Sequence, residues 1–110
     1  MSLDVSLYYE NDGHRHIVYD RNITHNLGTM AVEAGIYDPI WRPEQVNISK
    51  ASDLIEPLTE GLATLKAEPE QFKQFEPANK WGTYVDFVRF VAEYLKQCKA
   101  HPNAIIRVSR

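Results

Sequence analysis

The chain of 110 residues holds a single cysteine, Cys98, so no intramolecular disulfide can form. That scarcity fits a reducing compartment, and a cytoplasmic location is expected. Long apolar runs are missing too. None approaches the ~20 residues that cross a bilayer, so no membrane association is expected. The opening Met1-Ser2-Leu3-Asp4-Val5 has neither a basic segment nor an apolar stretch, and no secretory signal is expected. The triplets Asn22-Ile23-Thr24 and Asn47-Ile48-Ser49 match the glycosylation pattern, but without secretion they carry no meaning. Several catalytic signatures are absent: G-x-S-x-G, the P-loop, H-E-x-x-H and the dinucleotide fingerprint. Basic charge is in short supply as well. With 12 Lys and Arg against 15 Asp and Glu, the net charge is -3, which argues against duplex nucleic acid as a partner.

What is present describes an ordinary globular chain. Apolar residues make up 44% and charged residues 25%, which excludes disorder as the main state. The length suits one domain over residues 1–110, large enough to bury about two-thirds of its unfolded surface. Charge is uneven along it. Residues 53–76 carry six acids against Lys66 and Lys73, whereas 77–110 carry six bases against Asp86 and Glu93. The simplest expectation is that the basic end pairs with the acidic middle.

Leu3, Val5 and Leu7 alternate with Asp4 and Ser6, which predicts a half-buried strand to about Tyr9. Asn11-Asp12-Gly13 is turn chemistry, and an extended pattern resumes from His16 to Tyr19, so the two form an antiparallel hairpin. Thr24 caps a short helix with Leu27, Met30, Ala31 and Ala34 at helical spacing, and Gly35 stops it. Ile36 to Pro43 reads as a compact connector. A second helix covers about residues 50–66 on a stripe of Leu54, Ile55, Leu58, Leu62 and Leu65. Pro57 predicts a kink there, or a first turn ending before it. Pro69 opens a short helix with Phe72 and Phe75. Thr83 caps the last helix, about 83–100, whose face holds Tyr84, Phe87, Val88, Val91, Leu95 and Cys98, widened by Phe90 and Tyr94. Ala104 to Val108 closes the chain as a strand. The expected fold is α+β: a three-stranded antiparallel sheet, made from the N-terminal hairpin with the C-terminal strand beside the first strand, covered by three to four helices.

Polar residues in loops supply the functional candidates. His14 and His16 point to one face of a strand, and with Asp12 or Asp20 they have the makings of a metal site. Solvated strand residues are the simpler reading, and neither a metal nor a cofactor is expected. His25 sits in Asn22-Ile23-Thr24-His25-Asn26-Leu27, at a predicted helix start where free amides attract anions. Capping alone explains Thr24 but not His25 or Asn26. Trp41-Arg42-Pro43 lies in one loop and Lys80-Trp81-Gly82-Thr83-Tyr84 in another. Indole rings offer stacking surfaces and Arg42 a planar fork for phosphate or carboxylate, although loop tryptophans commonly fill a core. Cys98 falls on an apolar stripe and reads as packing.

Taken together, Asn-Ile-Thr-His-Asn-Leu at 22–27, Ala-Gly-Ile-Tyr at 34–37, Trp-Arg-Pro at 41–43, Trp-Gly-Thr-Tyr at 81–84 and Val-Ser-Arg at 108–110 resemble a family of small uncharacterised proteins of bacteriophages and bacterial genomes. The resemblance spans nearly the whole chain and brings no activity with it. Lys80 departs from the pattern, since that loop carries Gly or a small residue before the Trp. A phage link implies an accessory, counter-defence role acting stoichiometrically on the host.

Three functions are expected, in descending order. The first is a non-enzymatic binding protein that sequesters a small anionic, nucleotide-like ligand at Asn22, Thr24, His25, Asn26, Trp41, Arg42, Trp81 and Tyr84. The second is an inhibitor that binds a host protein through an acidic surface, the Glu56/Glu60 face. The third and weakest is a small hydrolase with His25 as base. The sequence admits homo-oligomers without requiring them.

Overall fold

The computed structural model describes residues 2–79 and 81–110, so Lys80 lies outside the described residues. Strand β1 spans Ser2–Asn11 and β2 spans His14–Thr24. Asp12 and Gly13 join them at φ 51° and 79°, the left-handed pair that a two-residue hairpin turn demands. Strand β3, Ile105–Ser109, pairs antiparallel on the other side of β1, giving the order β2-β1-β3. This is the α+β sheet that the sequence predicts. β2 runs longer than its apolar pattern because the ladder to β1 carries polar residues along with it. A bulge interrupts that ladder. Leu7 faces Tyr19 and Tyr8 faces Ile17, leaving Val18 without a partner on β1.

Among the described residues, five α-helices lie between β2 and β3: α1 Gly28–Glu33, α2 Tyr37–Trp41, α3 Ser52–Ala67, α4 Pro69–Lys73 and α5 Tyr84–Ala100. Helix α2 occupies what the sequence presents as a connector. Its backbone finds partners locally, with the Arg42 N–H donating to Asp38 (2.9 Å) and the Ile40 N–H to Ile36 (3.3 Å). Helix α3 continues through Pro57 rather than ending before it. The proline ring withdraws one donor, from the carbonyl of Asp53, and Asp53 is an exposed first-turn residue where water can serve instead. Among the described residues, no helix is long and apolar enough to cross a membrane.

The core sits between the inner face of the sheet and the helices. Leu3, Val5 and Leu7 are fully buried from β1, and α5 contributes Phe87, Phe90, Val91, Tyr94, Leu95 and Cys98. Each such large side chain contributes about 1.5–3 kcal/mol by leaving water. Helix α5 lies across the sheet: Tyr94 stacks on Tyr19 with centroids 5.8 Å apart, and Arg21 donates to Glu93 at 2.8 Å. Its N-terminus is capped as the sequence predicts, with the Asp86 N–H donating to Thr83 Oγ1 at 3.1 Å. Helix α3 packs against α5. Its Gly61 is buried against Ile36, which a Cβ at that position would overlap, so glycine lets the α1–α2 connection seat directly on α3. The outer face of the sheet is left open and carries Asp4, Asp20, Asn22 and Arg107.

The expected pairing of the basic end with the acidic middle does not form among the described residues. The ion pairs are Arg15–Glu10, Arg21–Glu93, Lys73–Glu70 and Arg110–Glu44. None joins a base of 77–110 to an acid of 53–76, although α5 packs against α3.

Candidate functional site

The polar cluster at 22–27 is built on the exit from β2. Thr24 caps a single 3-10 turn over His25–Leu27, accepting the Asn26 N–H at 3.2 Å. So short a turn, leading into the six residues of α1, sums few peptide dipoles toward an anion. Asn22 stands on the outer sheet face, where its Nδ2 donates to Ser2 Oγ (2.8 Å) and Asp4 Oδ1 (2.7 Å).

His25 and Trp41 do come together. The indole Nε1 donates to His25 Nδ1 at 3.0 Å, so the neutral imidazole carries its proton on Nε2. Trp41 is only 1% exposed, and Tyr37 stacks on it at 5.1 Å and 10°. The indole therefore presents no open wall to a ligand. Its placement at the end of α2 turns it inward. Arg110 closes the outside of this corner, donating through Nη1 to the Trp41 carbonyl (2.8 Å) and pairing with Glu44. Hydrogen bonding to its own backbone, and then to Arg110, holds the Glu44 carboxyl below its ordinary value, with Arg42 adding a positive charge nearby. Arg42 itself is half-buried.

Trp81 has the opposite setting. It is 71% exposed, its N–H donates to Asn79 Oδ1 (3.0 Å), and its carbonyl accepts from Asn26 Nδ2 (3.4 Å). Gly82 comes next at φ 96°, so close to Thr24 and Leu27 that an added Cβ would come within 2.6 Å of Thr24 Cγ2. The 22–27 and 81–84 segments thus meet through backbone and Asn26. Tyr84 belongs to the core, its hydroxyl donating to the Leu65 carbonyl at 2.6 Å.

A concavity larger than the one beside the 22–27 cluster lies elsewhere. A groove of about 800 Å³ runs between α3 and the segment from Ala34 to Ile48. Ile36, Pro39, Val46, Ile48 and Pro57 supply its apolar lining, and Asp53, Glu56 and Glu60 stand along α3 beside them. Asp53 is engaged, accepting the backbone N–H groups of Ser49 (3.1 Å) and Lys50 (3.2 Å). Glu56 and Glu60 have no ion pair among the described residues. Their spacing of four places two like charges together on one helix face, an arrangement that costs about 0.2–0.5 kcal/mol. The sequence points to Glu56 and Glu60, but not to the apolar residues of the 34–48 segment that join them; only folding brings these together.

Nucleophilic chemistry has little to work with here. Burial pushes the Cys98 thiol up to about 12, so it stays protonated at neutral pH. The side-chain partner of His25 among the described residues is Trp41, which is no nucleophile. No family model, curated protein or solved structure matches the chain.

Proposed function

We propose that this protein is a non-enzymatic binding protein whose α3 groove takes a basic, partly apolar segment of a partner protein. The observation that carries this reading is the groove itself: an apolar floor drawn from residues 34–48, beside carboxylates that the described residues leave without ionic partners. A cationic segment would relieve the repulsion between Glu56 and Glu60 while its apolar side chains cover Pro39, Val46 and Ile48. Potential complementarity of this kind governs partner choice and encounter rate. In this reading the partner is a host protein in the cytoplasm, and stoichiometric blocking, in a counter-defence role, is the mode of action. Small anions are repelled by the same carboxylates, which is why the nucleotide-like ligand takes second place.

The experiment is fluorescence anisotropy with two labelled peptides of equal positive charge, one alternating Lys with Leu and one alternating Lys with Ser. Tighter binding of the Lys–Leu peptide, weakened by salt and lost in Glu56→Lys/Glu60→Lys, is the expected result. Equal binding of both peptides, or binding indifferent to the double charge reversal, sinks the groove reading.

One observation favours the second reading, a small anionic ligand: the open indole of Trp81 beside Asn26. A thermal-shift screen with mononucleotides tests it. Stabilisation that disappears in Trp81→Ala supports that site, and no shift with any nucleotide removes it.

A further inference from the structure

We infer that the free edge of β2 is a self-association surface, through which two copies join their sheets antiparallel with Arg15 of each copy opposite the partner's Asp20. The two edges of the sheet differ. The β3 edge is covered at its start, since the Ile106 N–H donates to Ser49 at 3.0 Å and Lys50 bridges Ile105. Along β2, among the described residues, the outer edge has no backbone partner over its 11 residues. β2 contains neither Lys nor Pro, the residues that commonly block an exposed edge.

The bulge at Val18 decides which side chains can meet. Arg15, Ile17 and Asp20 pair with Glu10, Tyr8 and Ser6 of β1, which alternate along one face. All three therefore share the outer face, although 15 and 17 are odd and 20 is even. In a regular strand Arg15 and Asp20 would point to opposite faces, and no antiparallel register could oppose them. With the bulge, a two-fold axis between Ile17 and Val18 sets Arg15 against the partner's Asp20 and, by symmetry, Asp20 against the partner's Arg15. His16 then faces the partner's Tyr19 on the inner side. A slip by two residues would oppose Asp20 to the partner's Ile17 and Arg15 to the partner's Asn22, losing both ion pairs.

Apolar surface points to the same axis. Ile17 is 51% exposed and stands where the two copies would meet, so pairing covers it. Arg15 is free to reach across. Its own-chain contacts are a long one to Glu10 (3.8 Å) and a position over the Tyr8 ring (4.6 Å), and 42% of its side chain remains exposed.

Sedimentation equilibrium on the full chain, from ~10 µM to ~1 mM, reads the association by mass action. The expected result is a mass rising toward two chains, with the rise weakened by salt. Arg15→Asp and Asp20→Arg should each weaken the dimer about tenfold or more, because attraction becomes repulsion in both symmetric pairs. The combined Arg15→Asp/Asp20→Arg should restore it, which a merely structural effect would not do. Ile17→Lys, at an exposed site where folding is unaffected, should also leave monomers, with circular dichroism confirming the fold. A wild-type chain that stays monomeric across this range overturns the inference. So does a dimer that survives either charge reversal, or a double reversal that fails to re-form it.

Discussion

Trp41 and Trp81 occupy segments of similar composition, each beside a basic residue, yet they finish in opposite environments. Trp41 ends α2, is 1% exposed, stacks on Tyr37 and gives its indole proton to His25. Trp81 precedes α5, is 71% exposed, and is held through its backbone by Asn26 and Asn79. The course of the chain just beyond each residue makes the difference. After Trp41 the chain turns through Pro43, and Arg110 at the far end of the chain covers the corner. After Trp81, Gly82 packs tightly on Thr24 and Leu27 and leaves the preceding ring outside. An indole's chemistry is the same in both places, so burial decides whether it stabilises the fold or offers a contact surface.

Trp41→Ala breaks the comparison from the buried side. It should cost about 3–5 kcal/mol, the range for truncating a buried aromatic, read as a large drop in the urea midpoint. A loss under ~1 kcal/mol would mean the ring is not packed. His25→Ala separates the hydrogen bond from the bulk of the ring. It strands the indole N–H in a dry corner and should cost about 1–3 kcal/mol, less than Trp41→Ala but well above an exposed substitution.

Cys98 extends the contrast to a second kind of buried group. Its folded thiol is raised to about 12, above the unfolded value near 9.0. The unfolded chain therefore releases a proton first, and stability falls as pH rises through about 9 toward 12. The slope from this one group approaches about 1.4 kcal/mol per pH unit. Burial also holds the Tyr94 phenol above its ordinary range, so it adds to the same alkaline loss. Cys98→Ala should flatten the urea-midpoint slope in that window relative to wild type; an unchanged slope removes the thiol from the account.

Trp81→Ala is the smallest effect on stability, within about 0.5 kcal/mol. It should nevertheless abolish most of the quenching of tryptophan fluorescence by acrylamide, since the remaining Trp41 is covered. Strong residual quenching would contradict the burial of Trp41.

Local chemistry carried much of the fold. The Asn11-Asp12-Gly13 turn, the Thr24 and Thr83 caps and the α5 stripe all depend on residues within a few positions of one another, and each stands where the sequence placed it. The candidate site was legible only in part. His25 with Trp41, and Asn26 with the Trp81 loop, are brought together, while Tyr84 enters the core and Asn22 remains on the outer sheet.

By itself, then, the sequence determined the order of the strands and longer helices, the sheet topology and the apolar faces of β1, α3 and α5, because periodicity, caps and turn residues act over short distances along the chain. The tertiary structure alone decided which tryptophan is covered, that Tyr37–Trp41 is helical, that Val18 bulges and places Arg15 with Asp20, and that Glu56 and Glu60 stand beside apolar residues of the 34–48 segment. Those outcomes depend on pairs far apart in sequence, such as Gly61 against Ile36 or Arg110 against Trp41, whose meeting is set by how whole elements pack rather than by any local preference.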